Sequence, residues 1–299
     1  MFALSASAAR AEPVAYGEAF DTLYRIDLGG PVAARVGEAG RFGTQPIANI
    51  SGLSYSLDGE LYAVAGGMNA LVRIDEDTGH ATVIGSFGLN GQGDPQHNDA
   101  LDLSMNFGCD GTLWLASAYA GKLWTVDPAS GATTLVGTTG HPITGLVALG
   151  NVLYGAGGRG DNTFYKIDTH SGVATPVGRF GDDVPDWVNS VSMSFDDKGV
   201  LWAVLNYVPP APGSTSVSDW SDLARIDVTT GRVTIVGPIT GPESLRQVGM
   251  KGFAIGPPRC LDGTSTTIPA PVGSPPWLLA LIALLTFSAA WTLRRRALH

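Results

Sequence analysis

Short apolar segments separated by turn residues run along most of the chain, and residues 50–85 show this pattern most clearly. Apolar and polar positions alternate there in four segments, which Asp-Gly, Gly-Gly and Asp-Thr-Gly sequences separate. An alternation of period two predicts strands with one buried face, and these turn sequences predict antiparallel connections. The predicted strands are residues 53–56, 61–64, 71–74 and 81–84.

The four-strand unit recurs five times, and two markers identify it. An Ile-Asp or Val-Asp pair ends the third strand of each unit, and a glycine ends the fourth. The aspartates lie 48, 52, 41 and 59 residues apart, which is typical of β-propeller blades. The markers are Asp27, Asp75, Asp127, Asp168 and Asp227, followed by Gly37, Gly85, Gly137, Gly178 and Gly237.

The fifth unit is divided between the two ends of the chain. Residues 249–255 match an inner strand, and residues 14–37 match the three strands that should follow it. Sharing a blade in this way closes the ring and removes an exposed sheet edge. We therefore predict an all-β fold, a five-bladed β-propeller over residues 12–260 closed by its N- and C-terminal strands. A sixth, degenerate blade within residues 86–100 or 205–222 is the alternative.

The strand pairs at 52–64 and 102–116 each join a small-apolar strand to an aromatic-bearing strand through an Asp-Gly type turn. In this order of strand, turn and aromatic-bearing strand, the chain resembles the NHL and YVTN-like β-propeller families. The resemblance implies a fold only, because such propellers serve as enzymes, ligand binders and scaffolds. The five repeated aspartates are interpreted as turn-stabilising residues, and Trp114, Trp124 and Trp202 as packing between blades.

Composition narrows the function. The 299 residues include 40 glycines, only 15% are charged, and the net charge is −9, so a nucleic-acid partner is not expected. The sequence contains no Gly-x-Ser-x-Gly, His-Glu-x-x-His, phosphate-loop or dinucleotide motif.

The loops before the inner strands and after the second strands should share one face of the ring, and their lengths vary most. Polar side chains there predict a pocket at the channel mouth. The Arg159-Gly160-Asp161 tripeptide is interpreted as a turn. The candidate ligand-binding residues are His97, Asp99, His141, Asp186, Asn189 and Arg246.

Two further uses of these loops remain open. Asp182, Asp183 and Asp186 offer oxygen ligands to Ca²⁺, although no calcium-loop spacing is present, and no other metal or cofactor is expected. Alternatively His97, Asp99 and Asp186 act as acid and base in a secreted glycan or ester hydrolase. The preferred interpretation is a binding or interaction module for an envelope glycan or protein.

The chain has two cysteines, Cys109 and Cys260, and each is predicted to follow an inner strand. In an exported protein an even number of cysteines favours pairing. Their blades are not neighbours, so the sequence leaves a disulfide between them open.

Both ends of the chain carry segments that predict where the protein is located in the cell. Residues 1–11 end in Ala-Arg-Ala and are interpreted as the remnant of a signal peptide whose start lies upstream. Residues 261–276 form a Ser/Thr/Pro/Gly linker, and residues 277–293 are uncharged and mostly apolar. As a helix they would rise about 25 Å, the short end of what spans a bilayer. The arginines at 294–296 would hold the C-terminus on the cytoplasmic side.

A proline-containing leader, an apolar helix and a terminal arginine cluster together resemble bacterial C-terminal sorting domains of the PEP-CTERM and IPTL-CTERM kind. The resemblance implies recognition by an exosortase-like enzyme, with permanent membrane anchoring as the alternative. Both place the propeller in the cell envelope or outside the cell. The residues that carry it are Ile268, Pro269, Trp277, Arg294, Arg295 and Arg296.

Overall fold

The computed structural model describes residues 14–186, 188–207, 221–242 and 249–256. All of them belong to the first of the two units into which the chain divides, residues 1–265. The signal-peptide remnant, the linker, the apolar segment and the arginine tail lie outside the described residues. Within the described ranges, no helix has the length and apolarity that a membrane crossing requires.

The described residues form five four-stranded antiparallel sheets and one two-stranded hairpin. Blade 1 contains β1 (Val14–Ala19), β2 (Thr22–Asp27) and β3 (Val32–Glu38), and the hairpin that follows contains β4 (Arg41–Phe42) and β5 (Gln45–Pro46). Blade 2 contains β6 (Ile50–Tyr55), β7 (Leu61–Ala65), β8 (Ala70–Ile74) and β9 (Ala81–Ser86). Blade 3 contains β10 (Leu103–Phe107), β11 (Leu113–Ser117), β12 (Lys122–Val126) and β13 (Thr133–Thr138). Blade 4 contains β14 (Gly145–Leu149), β15 (Val152–Ala156), β16 (Thr163–Ile167) and β17 (Ala174–Arg179). Blade 5 contains β18 (Val188–Phe195), β19 (Leu201–Tyr207), β20 (Ser221–Ile226) and β21 (Val233–Pro238).

The last strand, β22 (Gly252–Gly256), is the inner strand of blade 1 and pairs antiparallel with β1. The register runs from Val14 opposite Gly256 to Glu18 opposite Gly252. The predicted closure of the ring by both ends of the chain is therefore confirmed. The segment between β9 and β10 carries a short 3₁₀ turn at Pro95–His97 and no further sheet, so the alternative of a sixth blade within residues 86–100 is wrong.

Five apolar clusters hold the blades together, one at each seam between neighbouring sheets. Trp114, Trp124 and Trp202 are buried in three of these seams, which confirms their interpretation as packing residues. The inner strands of neighbouring blades contact one another around the ring. A gap of about 10 Å³ remains beside Met105 and Phe253, which is about the smallest space that holds one water.

The two repeat markers contact each other across the seams. A Cβ added to Gly85 of blade 2 would lie 2.0 Å from the backbone oxygen of Ser130 in the turn of blade 3. In blade 2 itself, Asp75 accepts hydrogen bonds from the N–H of Thr78 and of Asp77, at 2.8 and 3.1 Å. These bonds, with that of the Thr78 hydroxyl, lower the pKa of Asp75. The repeated aspartates thus stabilise the turns, as the sequence predicted. The absence of a side chain at Gly85 leaves room for the turn of the next blade, which was not predicted.

Candidate functional site at the channel mouth

A cavity of about 430 Å³ opens at the face that carries the loops before the inner strands and after the second strands. Residues of four blades line it: Asn49, Ser51, Gly66, Gly67, Asn69, Asn98, Asp99, Ala100, Leu101, Asp102, Leu103, Tyr119, Arg159 and Lys251. A polar pocket at this mouth is what the sequence predicted.

A charged triad lies in the wall of the cavity. Asp102 precedes β10 of blade 3, Arg159 follows β15 of blade 4, and Lys251 precedes β22 of blade 1. Arg159 donates to Asp102 Oδ2 from Nη2 at 2.7 Å and from Nε at 3.2 Å. Lys251 Nζ donates to Asp102 Oδ1 at 3.2 Å. One carboxylate therefore joins side chains of three blades.

The triad has a buried acidic side and a more open basic side. Burial alone would raise the pKa of Asp102, but the charges of Lys251 and Arg159 and their hydrogen bonds hold it below its ordinary value. The side chain of Asp102 is 13% exposed, whereas those of Arg159 and Lys251 are 27% and 26% exposed. Asp102 stays ionised at neutral pH and presents its two cations to the cavity.

The backbone of each cation is tied to a neighbouring blade. The N–H of Arg159 donates to the carbonyl of Val188 at 2.8 Å, and Arg159 has a φ of 58° in its turn. The Ser192 hydroxyl donates to the carbonyl of Lys251 at 2.7 Å. The backbone N–H of Lys251 donates to the carbonyl of Glu18 at 2.9 Å. The cations are thus held in place by the ring itself.

Tyr119 connects the triad to a histidine at the rim. The guanidinium carbon of Arg159 lies 4.2 Å from the Tyr119 ring centre, and the His97 ring stacks on Tyr119 at 4.6 Å. His97 Nδ1 lies 2.6 Å from Asp94 Oδ2, and this hydrogen bond lowers the pKa of Asp94. His97 therefore supports the wall of the cavity through Tyr119 and is not itself among the lining residues.

Asp99 lines the cavity, as predicted, but its carboxylate faces its own loop. Its two oxygens accept the backbone N–H groups of Gly91 and Gly93 at 2.5 and 2.6 Å. Asp99 has a φ of 59°, an unusual value for a residue with a side chain. These two hydrogen bonds indicate that Asp99 stabilises the conformation of the 91–99 loop.

Three of the remaining predicted residues, His141, Asp186 and Asn189, are described by the structure and are not among the lining residues. His141 packs on Tyr165 at 4.4 Å, with Nδ1 2.9 Å from the Tyr165 hydroxyl. Asp186 is exposed, and Asn189 sits in β18 next to the turn of Arg159. Asp186 and Asn189 were predicted to lie near the channel axis, and neither is among the residues that line the cavity. Arg246 lies outside the described residues.

No group of three or more His, Cys, Asp or Glu side chains in the described ranges is placed to hold a metal ion, and these ranges include Asp182, Asp183 and Asp186. Cys109 is disulfide-bonded. The other cysteine of the chain, Cys260, lies outside the described residues. The pairing of the two stays a prediction.

Sequence reasoning missed Asp102, Lys251 and the side chain of Arg159. A signal was present, because Asp102 and Lys251 each stand directly before an inner strand, whereas His97 and Asp186 stand farther along the chain from theirs. Arg159 was correctly placed in a turn. Nothing in the sequence shows that its side chain reaches a carboxylate 57 residues away.

Comparison with known proteins supports the fold. Residues 52–186, less than half of the chain, match a repeat of unknown function, DUF6923. No curated protein matches the chain. A chain from a crystal structure of a nidogen/laminin complex is 14% identical with a TM-score of 0.51, covering 83% of this chain and 100% of that chain.

Two further solved structures are similar over part of their length. A protein of unknown function from Bacteroides thetaiotaomicron is 16% identical with a TM-score of 0.45, over 63% of this chain and 52% of that chain. Virginiamycin B lyase from Staphylococcus aureus is 17% identical with a TM-score of 0.41, over 73% of this chain and 63% of that chain. Together with the sheet topology, the repeat match identifies the chain as a β-propeller repeat protein.

Proposed function

We propose that the protein is a binding module that holds a small polar ligand in the channel-mouth cavity. The observation that carries the proposal is a cavity of about 430 Å³ at the channel mouth, lined mostly by polar residues of four blades. Its volume lies within the range of about 300–1,000 Å³ that is common for small-molecule sites. Loops on a rigid ring are also where propellers vary without loss of fold.

Binding fits the side chains better than hydrolysis does. Two carboxylates line the cavity, and neither is free: Asp102 accepts from two cations and Asp99 from two backbone N–H groups. Acid–base catalysis by a carboxylate pair requires two groups whose pKa values are set apart and which face the substrate. The charged groups with hydrogen-bonding capacity to spare are instead the two cations, Arg159 and Lys251, which donate hydrogen bonds.

Filling the cavity tests the proposal. Ala100 is half-buried and lines the cavity, so the indole ring of Ala100→Trp would occupy part of the cavity. Ala132, exposed in the turn before β13 and therefore on the opposite face, provides the matched control Ala132→Trp. Full-length protein is screened by ligand-observed NMR against monosaccharides, disaccharides and free amino acids. We expect binding that Ala100→Trp weakens at least tenfold and Ala132→Trp leaves unchanged. Equal binding by both variants would contradict the proposal.

We further propose that this binding takes place outside the cytoplasm, in a bacterial cell envelope. The support lies in the sequence: the signal-like residues 1–11, the linker at 261–276, the apolar segment 277–293 and the arginines that follow. The C-terminal segment would act as a membrane anchor or as a substrate of an exosortase-like sorting enzyme. An envelope glycan or protein is the partner that this address favours.

Cell fractionation tests the address. We expect the full-length protein in the membrane fraction, with the propeller digested by protease added to cells whose outer barrier has been opened. Truncation after residue 276 should release the propeller from the membrane fraction. Recovery of both forms in the cytosol, protected from protease, would refute export.

A further inference from the structure

We infer that the ligand of the channel-mouth cavity carries a carboxylate, which Arg159 and Lys251 bind. This inference rests on the proposed binding function and specifies its chemistry. Its starting point is an imbalance within the triad, where the single carboxylate of Asp102 pairs with two cations. The triad therefore carries a local excess of one positive charge.

The unused hydrogen-bond donors belong to the cations. Arg159 donates hydrogen bonds to Asp102 from Nε and Nη2, and a guanidinium has five N–H donors in all. Lys251 Nζ has three N–H donors and uses one of them in its hydrogen bond to Asp102. Both side chains line the cavity and are about twice as exposed as Asp102. The free N–H groups thus lie where a ligand can reach them.

The second acid of the lining does not cancel this excess at the same place. The Asp99 carboxylate accepts two backbone N–H groups of its own loop, and among the described residues the acid that pairs with the two cations is Asp102. The amides of Asn49, Asn69 and Asn98 add uncharged polar groups to the lining. A single negative charge on a polar ligand is therefore the best complement.

A carboxylate fits better than a phosphate. Arg159 already contacts the Asp102 carboxylate through two N–H groups, and the planar guanidinium matches the planar carboxylate on its other edge as well. A phosphate dianion would bring two charges to a triad with an excess of one, next to Asp99 and Asp102. The three asparagine amides suit hydroxyl groups, so a uronic acid is the probe that the cavity fits best.

The experiment separates the contribution of the carboxylate from that of the sugar. Full-length protein is titrated calorimetrically with D-glucuronate, its uncharged analogue D-glucuronamide, D-glucose and the small carboxylate glycolate. We expect glucuronate to bind at least tenfold more tightly than glucuronamide and glucose, with an affinity that falls as salt is added. Tighter binding of glucuronate than of glycolate would identify an acidic sugar, and equal binding would identify a simple carboxylate.

Variants separate this inference from the binding function. Arg159→Gln and Lys251→Gln should each lower glucuronate affinity at least tenfold, while Lys251→Arg should retain most of it. The matched control is Arg225→Gln, because Arg225 also stacks on an aromatic ring, that of Trp202 at 4.3 Å, but lies outside the cavity lining. Circular dichroism checks that each variant is folded.

Each outcome has one meaning. Equal affinity for glucuronate and glucuronamide, blocked by Ala100→Trp, would overturn the carboxylate inference and leave the binding function standing. Binding that Ala100→Trp does not affect would overturn the function itself. Absence of glucuronate and glycolate binding to the wild-type protein would also overturn the inference. The comparison of glucuronate with glucuronamide on the wild-type protein needs no variant to fold.

Discussion

Asp102 and Lys251 meet across the mouth of the channel although their blades are not neighbours in the ring. Lys251 Nζ lies 3.2 Å from Asp102 Oδ1, and Arg159 of a third blade holds the other oxygen of the same carboxylate. The contact joins residues that are 149 positions apart in the chain. It therefore reports on the closed ring, since β22 brings Lys251 to the mouth only when it pairs with β1.

The first prediction concerns the stability that Lys251 gives to the ring. Lys251→Met leaves Asp102 largely buried with one cation instead of two, and we expect a loss of about 1–3 kcal/mol of unfolding free energy at neutral pH. The folded pKa of Asp102 is lowered, so this stabilisation is present above its unfolded value of about 3.9 and is lost as the pH falls through the folded value.

Urea unfolding near pH 7 and near pH 3 measures both effects. The deficit of Lys251→Met should shrink in acid, because protonated Asp102 no longer needs a counter-ion. Arg73→Met is the control, because Arg73 pairs with Glu60 at 3.2 Å on the exposed surface and should cost at most about 1 kcal/mol. A deficit for Lys251→Met that does not depend on pH would contradict this account.

The second prediction concerns Glu18, whose side chain is 0% exposed and whose carboxyl oxygens have no hydrogen-bond partner among the described residues. Burial, followed by the charge of Asp21, raises its pKa well above the ordinary value. The acid is therefore stable in the fold only when protonated. The contribution of protonated Glu18 to the free energy of unfolding is fully present below its pKa in the unfolded chain, about 4.3. It is lost as the pH rises through its pKa in the folded protein.

Glu18→Gln isolates this effect. Relative to the variant, the wild-type protein should lose about 1.4 kcal/mol of unfolding free energy per pH unit between the two pKa values. Chemical unfolding at several pH values from 5 to 8 gives the difference. Glu38→Gln, at an exposed ion pair with Arg35, should show no such slope. Parallel pH profiles for wild type and Glu18→Gln would contradict the prediction.

The third prediction concerns the glycines that end the fourth strands. Gly85→Ala would place a Cβ 2.0 Å from the Ser130 carbonyl, so the turn of blade 3 must move and we expect a loss of about 1–3 kcal/mol or more. Gly30→Ala is the matched control, because nothing lies within 4 Å of its added Cβ. Thermal unfolding should show a lower midpoint for Gly85→Ala alone. Equal midpoints would show that the seam is more adaptable than the contact implies.

The fourth prediction concerns the cysteines. Cys109 is disulfide-bonded and Cys260 is the other cysteine of the chain, so we expect non-reducing peptide mapping to recover the two in one linked peptide. Cys109→Ser should lower the unfolding free energy by about 2–4 kcal/mol, since the bridge closes a long loop in the unfolded chain. Two titratable thiols in the denatured, non-reduced protein would refute the pairing.

The blades were predictable because their determinants are local. Alternating apolar positions specify the strands, and the Asp-x-x-Thr-Gly type turn that begins at residues such as Asp75 specifies the connection that follows. The match of residues 249–255 to a missing inner strand predicted the closure that β22 and β1 make. The hairpin of β4 and β5 was not predicted, because strands of two residues leave no alternation to detect.

The sequence by itself thus determined the ring, its closure and the face on which a pocket would form, since these follow from neighbouring residues and from repetition. Only the tertiary structure decided which side chains meet there. Asp102, Arg159 and Lys251 come from three blades, and their contact depends on the order of the blades around the axis and on the reach of each side chain. Asp99 was found in the lining, as predicted. Its carboxylate is held by its own loop, because the backbone N–H groups of Gly91 and Gly93 donate hydrogen bonds to both of its oxygens.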